Sequence, residues 1–213
     1  MLGKEDLKIL HSEFIDKFDM SEDDIKMLEN ECVAKTLNDG ELTYFNHECL
    51  GYIIVKSGVL RAYISSENFK EITVFMLKKG ESCILCDSCY MGDFQTKINL
   101  QVKEKAEILL IPASFFRQIK DKYLAVTNHI LSLVARRFAQ SIKVMEQALF
   151  SSLSDRILNF LKENSTGGNI KITHEELASH LGSAREAVSR ILKEMERDGL
   201  ISRKRGVISI LKP

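Results

Sequence analysis

Proline is scarce in this chain, two residues in 213, and no stretch is of low complexity. Long linkers and disordered tails draw on both, so ordered structure is expected throughout. No apolar run approaches the length of a membrane span. The N-terminus, Met1-Leu2-Gly3-Lys4-Glu5-Asp6, lacks the apolar core of a signal peptide. A cytoplasmic protein with no membrane partner is therefore expected. Five cysteines in a reducing compartment are not expected to form structural disulfides. Enzyme signatures are missing as well: there is no Gly-x-Ser-x-Gly, no glycine-rich phosphate loop and no His-Glu-x-x-His. Nothing supports a hydrolase or an oxidoreductase. No internal repeat of useful length is visible. What is present is 45% apolar content, enough for real cores in one large or two small domains.

Net charge is zero, but that balance hides an asymmetry. The first 142 residues carry 18 Lys and Arg against 21 Asp and Glu, a net −3. From Ser183 onward there are eight bases, at positions 185, 190, 193, 197, 203, 204, 205 and 212, against four acids, a net +4. Positive charge is gathered at the end that would meet phosphate.

That end is built around residues 172–201. Thr173 is a candidate N-cap with Glu176 three residues on, and Ser183 repeats the spacing with Glu186. The first helix offers Leu177, Ala178 and Leu181 as its apolar side, and Gly182 allows a sharp turn. The second places Ala187, Val188, Ile191, Leu192 and Met195 on one face. Arg185, Glu186, Ser189, Arg190 and Lys193 fall on the other. After it come a strand from Leu200, a basic turn of Arg203, Lys204, Arg205 and Gly206, and an alternating strand through Ile210. A plain helical hairpin with a solvated polar face would share the first part of this pattern. With the wing and the charge shift, the pattern predicts a winged helix-turn-helix whose second helix enters a DNA major groove.

Upstream, Leu7, Leu10, Phe14, Phe18, Ile25 and Leu28 predict helix from Lys4 to Glu31, with a fresh start at Ser21. From Cys32 to Pro112 the pattern turns to short strands: 52–55, 59–64, 71–77 and 106–111. Turns are expected at Lys56-Ser57-Gly58, at Ser65–Asn68 and at Lys79-Gly80. Closely spaced strands of this kind suggest an antiparallel barrel or sandwich. Pro112-Ala113-Ser114 opens a helical region that resets near Tyr123 and runs to Leu149. Within it Thr127, Leu131, Val134, Phe138, Ile142, Met145 and Leu149 form a near-heptad seam. So long a seam beside a small barrel has more apolar length than its own domain covers. A two-fold helix pair through Leu131, Val134, Phe138, Ile142 and Met145 is expected. Ser154–Glu163 reads as one more amphipathic helix, and Ser165–Asn169 as a turn.

β-Barrel, long helix and winged helix in this order resemble the Crp/Fnr family of bacterial transcription regulators over essentially the full length. The most specific stretch is Gly182-Ser183-Ala184-Arg185-Glu186-Ala187-Val188-Ser189-Arg190-Ile191-Leu192-Lys193. Val55-x-Ser57-Gly58-x-Leu60-Arg61 and Gly80-Glu81 support it. The resemblance implies an α+β chain: an antiparallel, jelly-roll-like β-roll that senses an effector (1–122), a dimerisation helix (123–149) and a winged helix-turn-helix (150–213). It implies a homodimer on double-stranded DNA, with RNA polymerase as a protein partner. Arg185, Glu186 and Arg190 match base-contacting positions of the Crp type, and Glu186, Ser189 and Arg190 match the Glu-x-x-Ser-Arg signature of the Fnr type. Arginine offers two donors to guanine and glutamate accepts from cytosine N4, so the chemistry agrees. Lys193, Arg203, Lys204 and Arg205 complete the expected DNA-binding set.

In cyclic-nucleotide-binding members, Gly-Glu opens a cassette that continues to an arginine holding the cyclic phosphate. Here no arginine stands between Arg61 and Arg117, and Lys97 lacks the planar fork. Cyclic AMP is not the expected effector. The cassette instead holds Cys83, Cys86 and Cys89 at Cys-x-x-Cys-x-x-Cys, a spacing that can wrap an iron–sulfur cluster or another metal, with Cys49, Cys32 or a non-cysteine group as a fourth ligand. Cluster cysteines of oxygen-sensing Fnr members lie mostly near the N-terminus, and this chain has none before Cys32. Thiol redox is the second chemistry: a helix capped by Ser82 would put Cys83 at its N-terminus and activate it, with Cys86 or Cys89 to resolve it. Haem is a third, through His47 and Cys49, although His-x-Cys is a weak pattern and no Cys-x-x-Cys-His is present. Against these stands simple packing of small buried thiols, the expected role of Cys32. His11, His129, His174 and His180 are expected at the surface or as caps. A cysteine-rich metal- or haem-binding protein without specific DNA readout is the alternative reading.

Overall fold

Residues 2–44, 51–68, 70–84 and 98–211 are described by a computed structural model of the chain. Its N-terminal helices form where the apolar spacing predicts them. Helix α1 (Lys4–Glu13) leads through a 3-10 turn at Ile15–Lys17 to α2 (Glu22–Glu31). Ser21 caps α2 by accepting from the Asp24 amide, and Glu22, Asp23 and Asp24 place negative charge at the positive end of the helix dipole. The Asp24 carboxylate also takes Lys122 Nζ at 2.5 Å and the Tyr123 hydroxyl. Those donors, Lys122 first, hold its pKa down to about 2.

The strands are β1 (Val33–Leu37), β2 (Leu42–Tyr44), β3 (Gly51–Ser65), β4 (Glu71–Leu77), β5 (Ser82–Ile84) and β6 (Ile98–Pro112). Among the described residues they make one sheet, in the order β1-β6-β3-β4, with β2 on β6 and β5 on β3. The turns near Ser66 and at Lys79-Gly80 form as expected. The turn expected at Lys56-Ser57-Gly58 does not, because β3 runs straight through it. Gly58 is there for close approach rather than reversal. With φ of 78°, a β-carbon on it would lie 2.3 Å from the Lys105 carbonyl oxygen on β6.

Helix α3 (Ala113–Lys122) ends at Tyr123, and α4 (Leu124–Phe150) follows for 27 residues. The chain divides into two compact units, one of Met1–Tyr63 with Phe75–Ala139, the other of Ile64–Val74 with Gln140–Pro213. The first unit's core gathers Leu10, Phe14, Tyr52, Ile54, Phe116 and Ile119 with Val126, Ile130 and Leu133 of α4. The Tyr52 and Phe116 rings stack at 5.0 Å. Each such side chain fully buried contributes about 1.5–3 kcal/mol. The opposite stripe of α4 stays exposed along Leu131, Val134, Phe138, Ile142, Met145 and Leu149. No described helix is long and apolar enough to cross a membrane.

The second unit contains α5 (Leu153–Asn164), β7 (Asn169–Lys171), α6 (His174–Leu181), α7 (Arg185–Arg197), β8 (Ile201–Lys204) and β9 (Val207–Ile210). Its core is Ile157, Leu161, Leu177, Leu181, Val188, Leu192, Met195, Ile201 and Ile208. Asn169, expected to end a turn, begins the third strand of the wing sheet, ordered β7-β9-β8. The tip residues of the β3–β4 hairpin belong to this unit: Ser179 Oγ donates to Glu71 at 2.7 Å, and His180 pairs with Thr73 Oγ1 at 2.7 Å. His180 is therefore a buried, hydrogen-bonded residue, where a surface or capping residue was the expectation. His129 is likewise partly buried, 3.0 Å from the Tyr52 hydroxyl.

Candidate nucleic-acid interface

Thr173 caps α6 as its sequence predicts. Its hydroxyl accepts from the Glu176 amide at 3.1 Å while the Glu176 carboxylate accepts from the Thr173 amide at 2.9 Å. Gly182 ends the helix at φ 63°, ψ 33°, a left-handed conformation that costs other residues about 1–2 kcal/mol. Arg156 on α5 donates to the Leu181 carbonyl and so satisfies a terminal acceptor of α6.

The second capping box, Ser183 with Glu186, is not formed. The Ser183 amide is spent on the Ala178 carbonyl, 3.0 Å away, closing the turn after α6. Helix α7 therefore starts one residue later, with Ala184 at its N-cap and no side-chain cap. Glu186 stands in the first turn of α7 and points to solvent.

The two faces of α7 separate as the periodicity requires. Val188, Leu192 and Met195 are buried against α5 and α6, whereas Arg185, Glu186, Arg190 and Lys193 are exposed. Arg185 meets Glu175 only at 3.9 Å and in solvent, a pair worth little. Ser189 lies on the same polar side but is half-buried, because His174 Nδ1 sits 2.8 Å from its hydroxyl oxygen. His174 was expected at the surface or as a cap. It occupies instead a cleft of about 240 Å³ shared by the start of α6, the start of α7 and the wing. Burial first, then Arg203 and Arg185, push its pKa below the ordinary histidine value.

Of the three wing bases, Arg203 is committed inside the unit. Its Nε and Nη2 reach Glu196 Oε2 at 3.0 and 2.5 Å, and its amide reaches Oε1 at 3.0 Å. This fork holds the wing to the end of α7 and keeps the Glu196 pKa below its usual value. Lys204 and Arg205 are exposed around the Gly206 turn. An exposed helix face of arginine, glutamate and lysine, flanked by two exposed wing bases, can meet base edges and backbone phosphates together.

The first unit holds the cysteine segment. Ser82 caps no helix: Ser82–Ile84 is strand β5, with Cys83 opposite Ile53, because Tyr52–Val55 presents an edge for it to pair with. Cys83 is 2% exposed, and burial pushes its thiol pKa up to about 12 against the opposing pull of Arg137. It is a packed, protonated thiol, and the activated nucleophile of the redox alternative, which needed a helix capped by Ser82, is not formed. Cys32 is buried in the same way, as its packing role required. Cys49, Cys86, Cys89, His47 and Lys97 lie outside the described residues. Two basic groups, one buried and one partly buried in the first unit, carried no signal in the sequence. Arg61 is 1% exposed with its guanidinium 4.5 Å from the Tyr63 ring centre. Arg137 on α4 lies 4.4 Å from the Phe75 ring centre and donates to the Ser82 carbonyl at 3.2 Å.

Known proteins resemble both parts of this chain. The family model of the Crp-like helix-turn-helix domain matches residues 153–213. The cAMP-activated global transcriptional regulator CRP of Pasteurella multocida is 28% identical over 164 residues, 73% of this chain and 77% of its own. The c-di-GMP responsive global regulator CLP of Xanthomonas campestris shares the fold, with a TM-score of 0.74 at 16% identity, over 91% of this chain and 100% of its own. A crystal structure of a transcriptional regulator of the Crp/Fnr family from Eubacterium rectale matches with a TM-score of 0.84 at 32% identity. That match spans 91% of this chain and 92% of the other, so the resemblance is not confined to the DNA-binding end, and the chain belongs to the Crp/Fnr family of DNA-binding transcription regulators.

Proposed function

We propose that this regulator binds an inverted-repeat operator as a homodimer, under control of a signal received at the cysteine segment of the β-roll. The roll with its N-terminal helices (1–122) senses, the helix of residues 123–149 pairs two chains, and residues 150–213 read DNA. The observation that carries the reading is the exposed apolar stripe of α4. Leu131, Val134, Phe138, Ile142 and Met145 follow coiled-coil spacing, and Phe138 is 66% exposed in the single chain. A second copy of the same helix covers such a stripe by two-fold symmetry.

In the dimer, α7 of each chain lies in a major groove. Arg185, Glu186, Ser189 and Arg190 face base edges, and Lys193, Lys204 and Arg205 meet phosphate. Arg203, held by Glu196, orients the wing. RNA polymerase is the protein partner in keeping with the family. Cyclic AMP, which activates the Pasteurella relative, is not the proposed signal, since the cassette after Gly80-Glu81 has no arginine before Arg117. The proposed input is ligation or oxidation at Cys86 and Cys89, with Cys83 as a ligand only where a metal displaces its proton, as in an iron–sulfur cluster or other thiolate-bound metal completed by Cys49. What supports a coupling is Arg137, which joins the Ser82 carbonyl, next to Cys83, to α4.

Selection from random DNA tests the operator. The expected product is an inverted repeat with half-sites about one helical turn apart. A single box without two-fold symmetry overturns the dimeric reading.

A further inference from the structure

We propose that His174 determines specificity at one base of each half-site by fixing whether the Ser189 hydroxyl donates or accepts. This rests on the reading above, in which the polar face of α7 meets base edges. The geometry is a single close contact, His174 Nδ1 to Ser189 Oγ at 2.8 Å, between the first residue of α6 and the recognition face of α7.

A hydroxyl has one proton. When Nδ1 carries none, Ser189 gives its proton to the ring, and only oxygen lone pairs remain to face the groove. These accept from cytosine N4 or adenine N6. When Nδ1 is protonated it donates to Ser189 Oγ, and the hydroxyl proton is free to turn outward. It then donates to guanine N7 or O6, thymine O4 or adenine N7. Neutral imidazole permits both arrangements, whereas imidazolium permits only the second. Protonation of His174 therefore commits Ser189 to bases that present an acceptor.

Charged groups on three elements surround this ring. From α6 it is joined by Glu175, from α7 by Arg185, and from the wing by Arg203 and Lys204, all lining the same cleft. In the unbound chain burial and the two arginines keep the ring neutral near neutral pH. A DNA phosphate brought to the exposed Lys204, which lines the same cleft, offsets that positive field and favours the imidazolium. Binding to an acceptor-presenting site thus takes up a proton, and lower pH favours it.

The test is selection from random DNA with the full-length protein at about pH 6 and about pH 8, the interval in which histidine titrates. One position per half-site is expected to shift at the lower pH toward bases that present an acceptor. The shift is about five-fold, one hydrogen bond's worth. His174→Asn, whose side chain reaches Ser189 but does not titrate, is expected to give the same preference at both pH values. Ser189→Ala is expected to lose both the preference at that position and its pH dependence. An enriched site whose bases are the same at both pH values overturns this inference alone, as does a shift that survives in His174→Asn. A pool with no enriched sequence at either pH overturns the DNA reading and the inference together.

Discussion

Residues on the recognition face divide by what their surroundings leave them able to do. Arg190 is exposed on α7 and Lys204 is exposed on the wing, and in the proposed complex the first meets a groove and the second a backbone. Arg190→Ala is expected to cost about 1–3 kcal/mol on the preferred site and to relax discrimination at one guanine of each half-site. Lys204→Ala is expected to weaken all sequences alike and to lower the slope of log affinity against log salt by about one. Gel-shift titration at several salt concentrations, on preferred and scrambled duplexes, separates them. Equal loss on both duplexes for Arg190→Ala counts against its reading role. Glu186 is a usable third probe, because Ala184 and not Ser183 stands at the N-cap and no capping box engages its carboxylate.

Elements carry the next distinction, between a reactive cysteine and a structural one. Cys83 lies in β5 with its thiol raised to about 12, so at neutral pH the thiolate that attacks oxidants is scarcely populated. Its removal is a packing change, and alanine keeps a buried site free of an unsatisfied hydroxyl. Cys83→Ala with Cys86→Ser and Cys89→Ser is therefore expected to give a folded protein that still binds its operator. The same variant is expected to lose the response of binding to oxidant, oxygen, sulfide donor or metal. A coupling of about 1–3 kcal/mol makes that response some 5- to 150-fold in affinity. If operator binding by the triple variant follows every treatment as the parent does, the signal enters elsewhere in the roll. The contact between β5 and α4 through Arg137 is what supports the segment as the proposed input.

At the scale of the whole molecule the proposed dimer rests on the seam of α4. A chain of 24.2 kDa is expected to sediment at micromolar concentration as a particle of roughly 48 kDa, two copies paired along the seam of α4. Phe138→Glu puts a charge in the centre of that stripe and is expected to yield a monomer with far weaker binding to an inverted repeat, since avidity from the second half-site is lost. Phe138 makes no part of the first unit's core, being 66% exposed, so the variant is expected to keep the parent's circular dichroism. A parent that sediments as a monomer sinks the dimer.

Much of this was legible in the sequence because it is local. The two faces of α7, the Thr173 cap, the Gly182 turn and the reset of the long helix at Tyr123 all follow from periodicity and from groups a few residues apart. The DNA-binding end could be read for the same reason, its charge being gathered in one short stretch. What only the tertiary structure decided depends on partners far along the chain. Gly58 looked like a turn because glycine permits one, but the Lys105 carbonyl across the sheet is why no β-carbon fits. Ser82-Cys83 looked like a helix start until Tyr52–Val55 offered it a strand to pair with. The roles of Arg61, Arg137, His174 and His180 were equally hidden, since a polar residue's burial is set by what folds over it. Sequence determined the helices, the polar face of α7 and the family. Tertiary packing decided which thiol is quiet, which arginine is spent on the wing, and which histidine stands behind the hydroxyl of Ser189.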